Sequence, residues 1–236
     1  MRAIYQTFTA TRFQRAPQLE PGLTKERFAV IEPPSQDVFS GLFSPAGVKP
    51  ASVRTVWFPA PAEREPRRLV LHFIGGALVL GWDIDTEGRR PAYIMTRHLK
   101  ATHTLVGQCR LLRPLKISLS SGTRQGGNLV LALLRYLESS QTQFPLPGGA
   151  TLWSPWIRVT ADAGQEYCNI LDSKKDLLDG ILLDWGANAY LPEGCLLREA
   201  EPYISPLHHP FRTETPKFIQ AAANEAFHNS IKSFAD

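Results

Sequence analysis

Short apolar runs, separated by polar stretches rich in glycine and proline, recur along the chain and predict strands. The run Arg67–Ile74 is mostly apolar, which is typical of a strand buried on both faces of a sheet. The segment Ser52–Phe58 is rich in the β-branched and aromatic residues that strands favour. Further strands are predicted at Thr102–Leu111, Lys116–Ser120, Ala150–Trp153 and Lys217–Ala222.

Stretches with helical character lie between these strands. Gly88–Leu99 predicts a helix, although Pro91 limits how early it can begin. Asn128–Leu137 is apolar on nearly every side, which indicates a helix inside a larger core. Two more helices are predicted, one at Asp176–Tyr190 and a last one with apolar positions at Phe227, Ile231 and Phe234. Strands that alternate with helices predict an α/β fold with a mainly parallel sheet flanked by helices.

The first 50 residues differ from the rest of the chain. They are rich in proline and weakly periodic, with one short helix predicted at Thr24–Ile31. We therefore expect residues 1–50 to form an N-terminal cap or arm and residues 51–236 to form the core. A chain of 236 residues, 43% of them hydrophobic, suits one globular domain with a substantial core.

Charge and cysteine content narrow the possible partners. Lys and Arg outnumber Asp and Glu by 26 to 22, but this net charge of +4 is spread along the chain and does not favour nucleic-acid binding. The three cysteines are far apart, without a C-x-x-C pair, so they predict neither a disulfide framework nor a metal site. No apolar run is long enough for a membrane span. We expect a cytoplasmic protein.

Three loops are expected to meet at one edge of the predicted sheet. Parallel sheets place their ligand sites at the carboxyl ends of the strands. The loops at Gly75-Gly76, Gly122–Gly127 and Ala223–Glu225 all follow predicted strands or strand breaks. They should therefore share one pocket.

Several segments of the chain, taken in order, match one known family. They are His72–Ala77, Gly122–Asn128, Trp153–Trp156, Pro202–Pro206 and Phe218–Glu225. Together they resemble the α/β-hydrolase fold, in the branch of the hormone-sensitive-lipase-like esterases and their fungal relatives. The resemblance implies a carboxylic-ester hydrolase for a small or medium acyl ester or lactone, without a cofactor. In fungi it implies a context in secondary metabolism.

The resemblance also implies roles for single residues. Gly75 and Gly76 lie in the glycine-rich loop whose backbone N–H groups bind the oxyanion, together with the N–H of Gln125. Glu225 takes the position of the acid that orients a catalytic histidine. In the glycine-rich loop, Ile74 replaces the histidine that the family usually has there. Without the resemblance, a tight turn and a carboxylate at a helix N-terminus would be the simpler interpretations.

The nucleophile is missing from the expected position. The family's elbow motif is G-x-S-x-G, and this chain has Gly122-Thr123-Arg124-Gln125-Gly126, with Arg124 in place of the serine. A guanidinium stays protonated and only donates hydrogen bonds, so it cannot attack a carbonyl carbon. Ser120, Ser121 and Thr123 are not expected to replace it, because a shift around so sharp a turn points the side chain elsewhere.

Two further parts of the family pattern are absent. No histidine follows Glu225 in the family's position: His228 is expected at the surface, and His208 and His209 belong to a proline-bounded loop. Only Leu112–Leu115 separate two predicted strands, whereas consecutive parallel strands need a crossover of about a dozen residues. We therefore predict an incomplete α/β-hydrolase fold that lacks one crossover and its C-terminal end.

Four interpretations of these departures stay open. The chain is an impaired relative of ester hydrolases, a non-catalytic protein that binds a carboxylate through Arg124, or an unstable remnant without function. The fourth is a displaced reading frame, because GAC-TCG-GCA-G, encoding Asp-Ser-Ala, reads one nucleotide later as ACT-CGG-CAG, the Thr-Arg-Gln of residues 123–125. The sequence does not predict an oligomeric state.

Overall fold

The computed structural model of the chain describes residues 19–33, 51–62, 66–76, 83–107, 117–139, 144–176, 178–191 and 198–236. The strands in these ranges are β1 Phe28–Ile31, β2 Val53–Phe58, β3 Leu69–Phe73, β4 His103–Gly107, β5 Leu119–Thr123, β6 Ala150–Trp153 and β7 Lys217–Gln220. The α-helices are α1 Ile84–Leu99, α2 Gln125–Ser139, α3 Ala163–Cys168, α4 Gly180–Tyr190, α5 Glu201–Ile204 and α6 His228–Ala235. Short 3₁₀ helices lie at Gly22–Arg27, Leu171–Lys174 and Pro206–His208.

The described strands form one seven-stranded sheet in the order β1-β2-β4-β3-β5-β6-β7. The pairs β1–β2 and β2–β4 are antiparallel, and every other neighbouring pair is parallel. The predicted mainly parallel sheet is therefore confirmed. The strands β2, β3, β4, β6 and β7 lie within the stretches that the sequence predicts for them.

Strand β3 is the centre of the sheet, as its apolar run predicts. All five of its residues are buried, and it pairs with β4 on one side and β5 on the other. Helix α1 packs on one face, where Ile84 and Ala92 contact the buried cluster around Val56 and Val106. On the other face the main core cluster joins Leu71 of β3 to residues of α2, α4 and α6. Both faces are therefore covered, which is the arrangement that a two-sided buried strand requires.

The predicted strand Lys116–Ser120 is shifted in the structure to Leu119–Thr123. The sequence predicts its end at the Ser121-Gly122 pair, but these two residues continue the ladder opposite His72 and Phe73. Strands β4 and β5 are not neighbours, because both pair with β3. The connection between them includes residues 108–116, so the predicted loss of a crossover lies outside the described residues.

The predicted helix Thr24–Ile31 is wrong in its second half. A 3₁₀ helix covers Gly22–Arg27, and Phe28–Ile31 forms β1 instead. This strand pairs antiparallel with β2, and the Thr55 hydroxyl donates to the Ala29 carbonyl oxygen at 2.9 Å. A distant partner strand therefore decides the conformation of this short apolar stretch.

Helices α1 and α2 begin earlier in the chain than the sequence predicts. Helix α1 begins at Ile84, four residues before the predicted start, and contains Pro91, because the Asp83 carboxylate accepts the backbone N–H groups of Asp85 and Thr86. Helix α2 begins at Gln125, directly after Arg124.

Helix α4 begins at Gly180 instead of Asp176, with the Asp179 side chain accepting the Leu182 N–H. The short helices α3 and α5 are not predicted by the sequence, whereas the predicted last helix is confirmed as α6, with Ile231 buried. No helix among the described residues is long and apolar enough to cross a membrane.

A buried carboxylate, Asp85, ties the segment before β1 to the first turn of α1. Arg27 lies 2.7 Å from one of its oxygens and Arg89 lies 2.6 Å from the other. Burial raises the pKa of Asp85, but the hydrogen bonds and charges of Arg89 and Arg27 outweigh burial, so the pKa falls below 3.8. The ionised carboxylate therefore stabilises the fold, and this contribution is lost as the pH falls through the lowered pKa.

We expect Asp85→Asn to lower the free energy of unfolding at pH 7 by about 1 kcal/mol, since Arg89 is largely exposed and its pairing is weakened by solvent. The difference from the wild type should shrink as the pH is lowered below 4, in urea unfolding followed by circular dichroism. Glu87→Gln makes the same charge change at an exposed position of α1 and should have little effect. A pH-independent difference would contradict the ion-pair explanation.

Candidate active site

One residue, Arg124, makes the turn from β5 into α2. Strand β5 ends at Thr123 and α2 begins at Gln125. Arg124 has φ 57°, in the left-handed region that side chains other than glycine rarely adopt. A strained strand-to-helix turn of this kind is the geometry of a nucleophile elbow.

The glycines on both sides of Arg124 are required by close backbone contacts. A Cβ atom on Gly122 would lie 2.1 Å from the Gly126 carbonyl oxygen, and one on Gly126 would lie 2.3 Å from the Phe73 carbonyl oxygen. Both distances are far shorter than any real contact of a Cβ atom. The spacing G-x-R-x-G is therefore set by the turn itself and is independent of the side chain at its tip.

The backbone of Arg124 is held from several sides. Its N–H donates to the Trp153 carbonyl oxygen at 2.9 Å, which ties the elbow to the end of β6. Its carbonyl oxygen accepts the N–H groups of Gly127, Asn128 and Trp156 at 2.9, 3.3 and 3.0 Å. The turn is therefore anchored to its own helix and to the loop that follows β6.

The Arg124 guanidinium lies between two buried carboxylates. One terminal nitrogen is 3.7 Å from a Glu225 oxygen, and the other is 3.7 Å from an Asp176 oxygen. The side chains of Glu225 and Asp176 are 6% and 3% exposed, against 25% for Arg124. Because a buried carboxylate is stabilised by a nearby cation, Arg124 offsets part of the negative charge of these two side chains.

Glu225 and Asp176 are both fixed by backbone N–H groups. Glu225 accepts from the Ala222 N–H at 2.9 Å, so the loop after β7 folds back on itself. Asp176 accepts from Leu178 at 3.3 Å and from Ala226 at 3.1 Å. Asp176 therefore holds the residue that directly follows Glu225. The sequence predicts Asp176 at the start of a helix and gives no sign of this role, whereas Asp179, three residues later, is the actual cap.

The glycine-rich loop reaches the same place. A Cβ atom on Gly75 would lie 3.3 Å from the Thr123 carbonyl oxygen and 3.8 Å from Cβ and Cγ of Arg124. Gly76 follows with φ 149°, where glycine is favoured. Gln125 is buried as the first residue of α2, where backbone N–H groups lack acceptors within the helix. The structure thus brings together the three loops that the sequence predicts to converge, while the oxyanion role of Gly75, Gly76 and Gln125 stays a prediction.

The serines near the elbow are inaccessible. Ser120 and Ser121 are both 0% exposed, within β5. The Ser121 hydroxyl lies 3.2 Å from Nδ1 of His72 inside the sheet, and burial lowers the pKa of His72 to about 4, so the ring is neutral at pH 7. A serine–histidine pair that neither solvent nor substrate reaches cannot act as a catalytic pair.

The remaining histidine candidates do not orient a ring toward the Glu225 carboxylate within hydrogen-bond distance. His209 is 3.4 Å from a Glu201 oxygen. His228 is half-buried, not a fully exposed surface residue, at the start of α6, and its backbone N–H donates to the Glu225 carbonyl oxygen. In the described part of the chain no imidazole contacts the Glu225 carboxylate. No group of His, Cys, Asp and Glu residues among the described residues could hold a metal ion.

A family model for the alpha/beta hydrolase fold matches residues 98–236, which is more than half of the chain and includes the elbow, Asp176 and Glu225. The chain belongs to the alpha/beta hydrolase fold family. This membership confirms the fold that the motifs resemble.

Solved esterases share the fold of this hydrolase-family chain. An esterase of the bacterial hormone-sensitive lipase family matches with a TM-score of 0.58 and 19% identity, over 98% of this chain and 74% of that one. EstE5, soaked with p-nitrophenyl butyrate, gives 0.60 and 19% over 99% and 75%.

A hyperthermophilic esterase from the archaeon Pyrobaculum calidifontis gives 0.60 and 15% over 78% of this chain and 67% of that chain. No curated protein sequence matches the chain. At these identities the similarity shows the fold.

Proposed function

We propose that this chain is a carboxylic-ester hydrolase relative that keeps the pocket of its family without the nucleophile. In its present form it has little or no activity by serine attack. The position that should carry the attacking oxygen carries Arg124, at the tip of an otherwise intact elbow. This single observation carries the proposal.

The surroundings of Arg124 support the proposal that position 124 has no nucleophile. Its guanidinium faces Glu225 and Asp176 at 3.7 Å, so it is held by two negative charges. A protonated guanidinium has no free electron pair with which to form an acyl-enzyme. The acid at position 225 therefore faces the group that replaces the nucleophile, and within the described ranges its carboxylate pairs with no histidine.

The substrate class follows from the family background. We propose a small or medium acyl ester or lactone as the substrate of the active relatives, and fungal secondary metabolism as the context of the branch that the motifs resemble. A cytoplasmic location is part of the same proposal. p-Nitrophenyl butyrate, the compound soaked into EstE5, is a suitable probe because its short acyl chain belongs to this class.

We expect no turnover of p-nitrophenyl butyrate by the purified chain above that of the heat-denatured protein. Labelling by a fluorophosphonate probe should likewise stay at background, since the one serine–histidine pair among the described residues, Ser121 with His72, is buried. Arg124→Ser should restore at most weak labelling, because the described residues offer no histidine beside Glu225. Steady-state hydrolysis and gel fluorescence measure both results.

Matched variants make this result informative. Arg212→Ser changes the same residue type at an exposed position of a loop and should behave as the wild type. Ser121→Ala tests the buried serine directly and should leave the background unchanged. Robust turnover that survives Ser121→Ala and Arg212→Ser but disappears in any Arg124 variant would overturn the proposal.

A non-catalytic binding protein is the second candidate, with Arg124 as the donor to an acyl carboxylate. The charges at the site disfavour it, because one guanidinium already faces two buried carboxylates and a third would add repulsion. Saturable binding of butyrate that is lost in Arg124→Ala is what this alternative requires.

A further inference from the structure

A cavity of about 250 Å³ lies beside the elbow site and is not used by the proposed function. It is open to solvent on one side and is lined by the segment that follows β6, by α3 and by the first turn of α6. Arg124, Asp176 and Glu225 do not line it. It is therefore a separate feature of the same end of the molecule.

Aromatic rings form the inner wall of this cavity. The rings of Trp156 and Phe227 are nearly parallel, with an angle of 9° and centroids 6.1 Å apart. The Tyr167 ring meets Phe227 edge to face at 6.0 Å. The Tyr167 hydroxyl donates to the Leu178 carbonyl oxygen at 3.1 Å, which satisfies its polar end within the protein. Rings in this arrangement favour another ring as their neighbour.

Polar side chains surround the cavity at its solvent side. Arg158 and Glu166 form an ion pair at 2.7 Å, with both side chains more than a third exposed. Asn229 and Ser230 line the cavity from α6 and are the more exposed part of that wall. Because Arg158 is already neutralised by Glu166, the rim favours an uncharged polar group over an ion.

We propose that this cavity binds a small planar aromatic compound, such as a fused bicyclic or substituted single ring, with one neutral polar group at its rim. The size agrees, since a cavity of about 150 Å³ accommodates benzene and this one is larger by about one further ring. The ring would lie against the accessible parts of Trp156, Tyr167 and Phe227, which are otherwise buried in the core. The polar group would lie near Asn229 and Ser230.

Indole is the probe, because it is a fused bicycle with a single N–H donor. We expect saturable binding in calorimetry and ligand-observed saturation-transfer NMR at millimolar concentration. Ser230→Trp, which fills the cavity from α6, should weaken binding at least tenfold. Asn229→Ala removes only a rim contact and should weaken binding about threefold to tenfold, and it serves as the second variant if Ser230→Trp fails to fold.

Ser233→Trp is the matched control, since Ser233 is an exposed residue of the same helix that does not line the cavity. Its affinity for indole should stay within twofold of the wild type. Hexan-1-ol tests a flexible apolar chain in place of a ring. The proposal is overturned if indole does not saturate, if hexan-1-ol binds and indole does not, or if binding survives Ser230→Trp but is lost in Arg124→Ala.

Discussion

Gly122→Ala is expected to abolish the cooperative folded state of this chain. The added Cβ atom would lie 2.1 Å from the Gly126 carbonyl oxygen, 2.2 Å from its carbonyl carbon and 2.6 Å from the Gly127 nitrogen. These are backbone atoms of the first turn of α2, so no side-chain rotation relieves the overlap. We expect a loss above about 4 kcal/mol, a large part of the stability of an ordinary domain. Urea unfolding followed by far-ultraviolet circular dichroism measures it.

Gly107→Ala is the matched control, because Gly107 also lies in a strand of the central sheet. Its added Cβ atom would meet only Cγ2 of Thr55, at the tolerable distance of 3.4 Å. We expect a change below about 1 kcal/mol. Similar unfolding midpoints for the two variants would show that the elbow does not have the geometry described above. A wild type without a cooperative transition would instead identify the chain as an unstable remnant.

Asn128→Ala should lower the free energy of unfolding by about 3 kcal/mol. The Asn128 side chain is 2% exposed, and its amide nitrogen donates to the carbonyl oxygens of Trp156 and Ile204, both at 2.8 Å. Removing it leaves two buried acceptors without partners, at about 1–3 kcal/mol each. The midpoint of urea unfolding reports this loss.

Asn188→Ala makes the same substitution at an exposed position of α4 and should change stability by less than about 0.5 kcal/mol. Asn128→Asp keeps the size of the side chain but removes both donors, so it should be at least as harmful as Asn128→Ala. If Asn128→Asp were as stable as the wild type at pH 7, the two hydrogen bonds would not be the cause.

Much of the sheet follows from local sequence. The buried strand Leu69–Phe73 is predicted because all residues at positions 69–74 except His72 are apolar. The strand Ala150–Trp153 is predicted because turn residues lie on both sides of it. The edge strand Phe28–Ile31 is not predicted, since its structure depends on pairing with Val53–Val56 about 25 residues away. Long-range pairing of this kind leaves little local signal.

The candidate site likewise has one part that the local sequence predicts and one part that it does not. Glycine spacing identifies the elbow at Arg124, because the steric demand at Gly122 and Gly126 is local. Asp176 has no such signature, since the partners that bring it to the site, the Ala226 N–H and the Arg124 guanidinium, are about 50 positions away in the sequence. Three-dimensional packing alone makes this carboxylate part of the site.

The carbonyl oxygen of Arg124 accepts three backbone N–H groups, and none of these bonds involves its side chain. The backbone conformation of this corner, the elbow at Arg124, and the identity of the residue at its tip are therefore under separate constraints. Selection for folding alone would maintain the corner after catalysis is lost, so a lineage can carry an inactive site for a long time with its architecture intact. The same separation means that a hydroxyl could return to position 124 without any rebuilding of the backbone, while a histidine to activate it would have to come from another change.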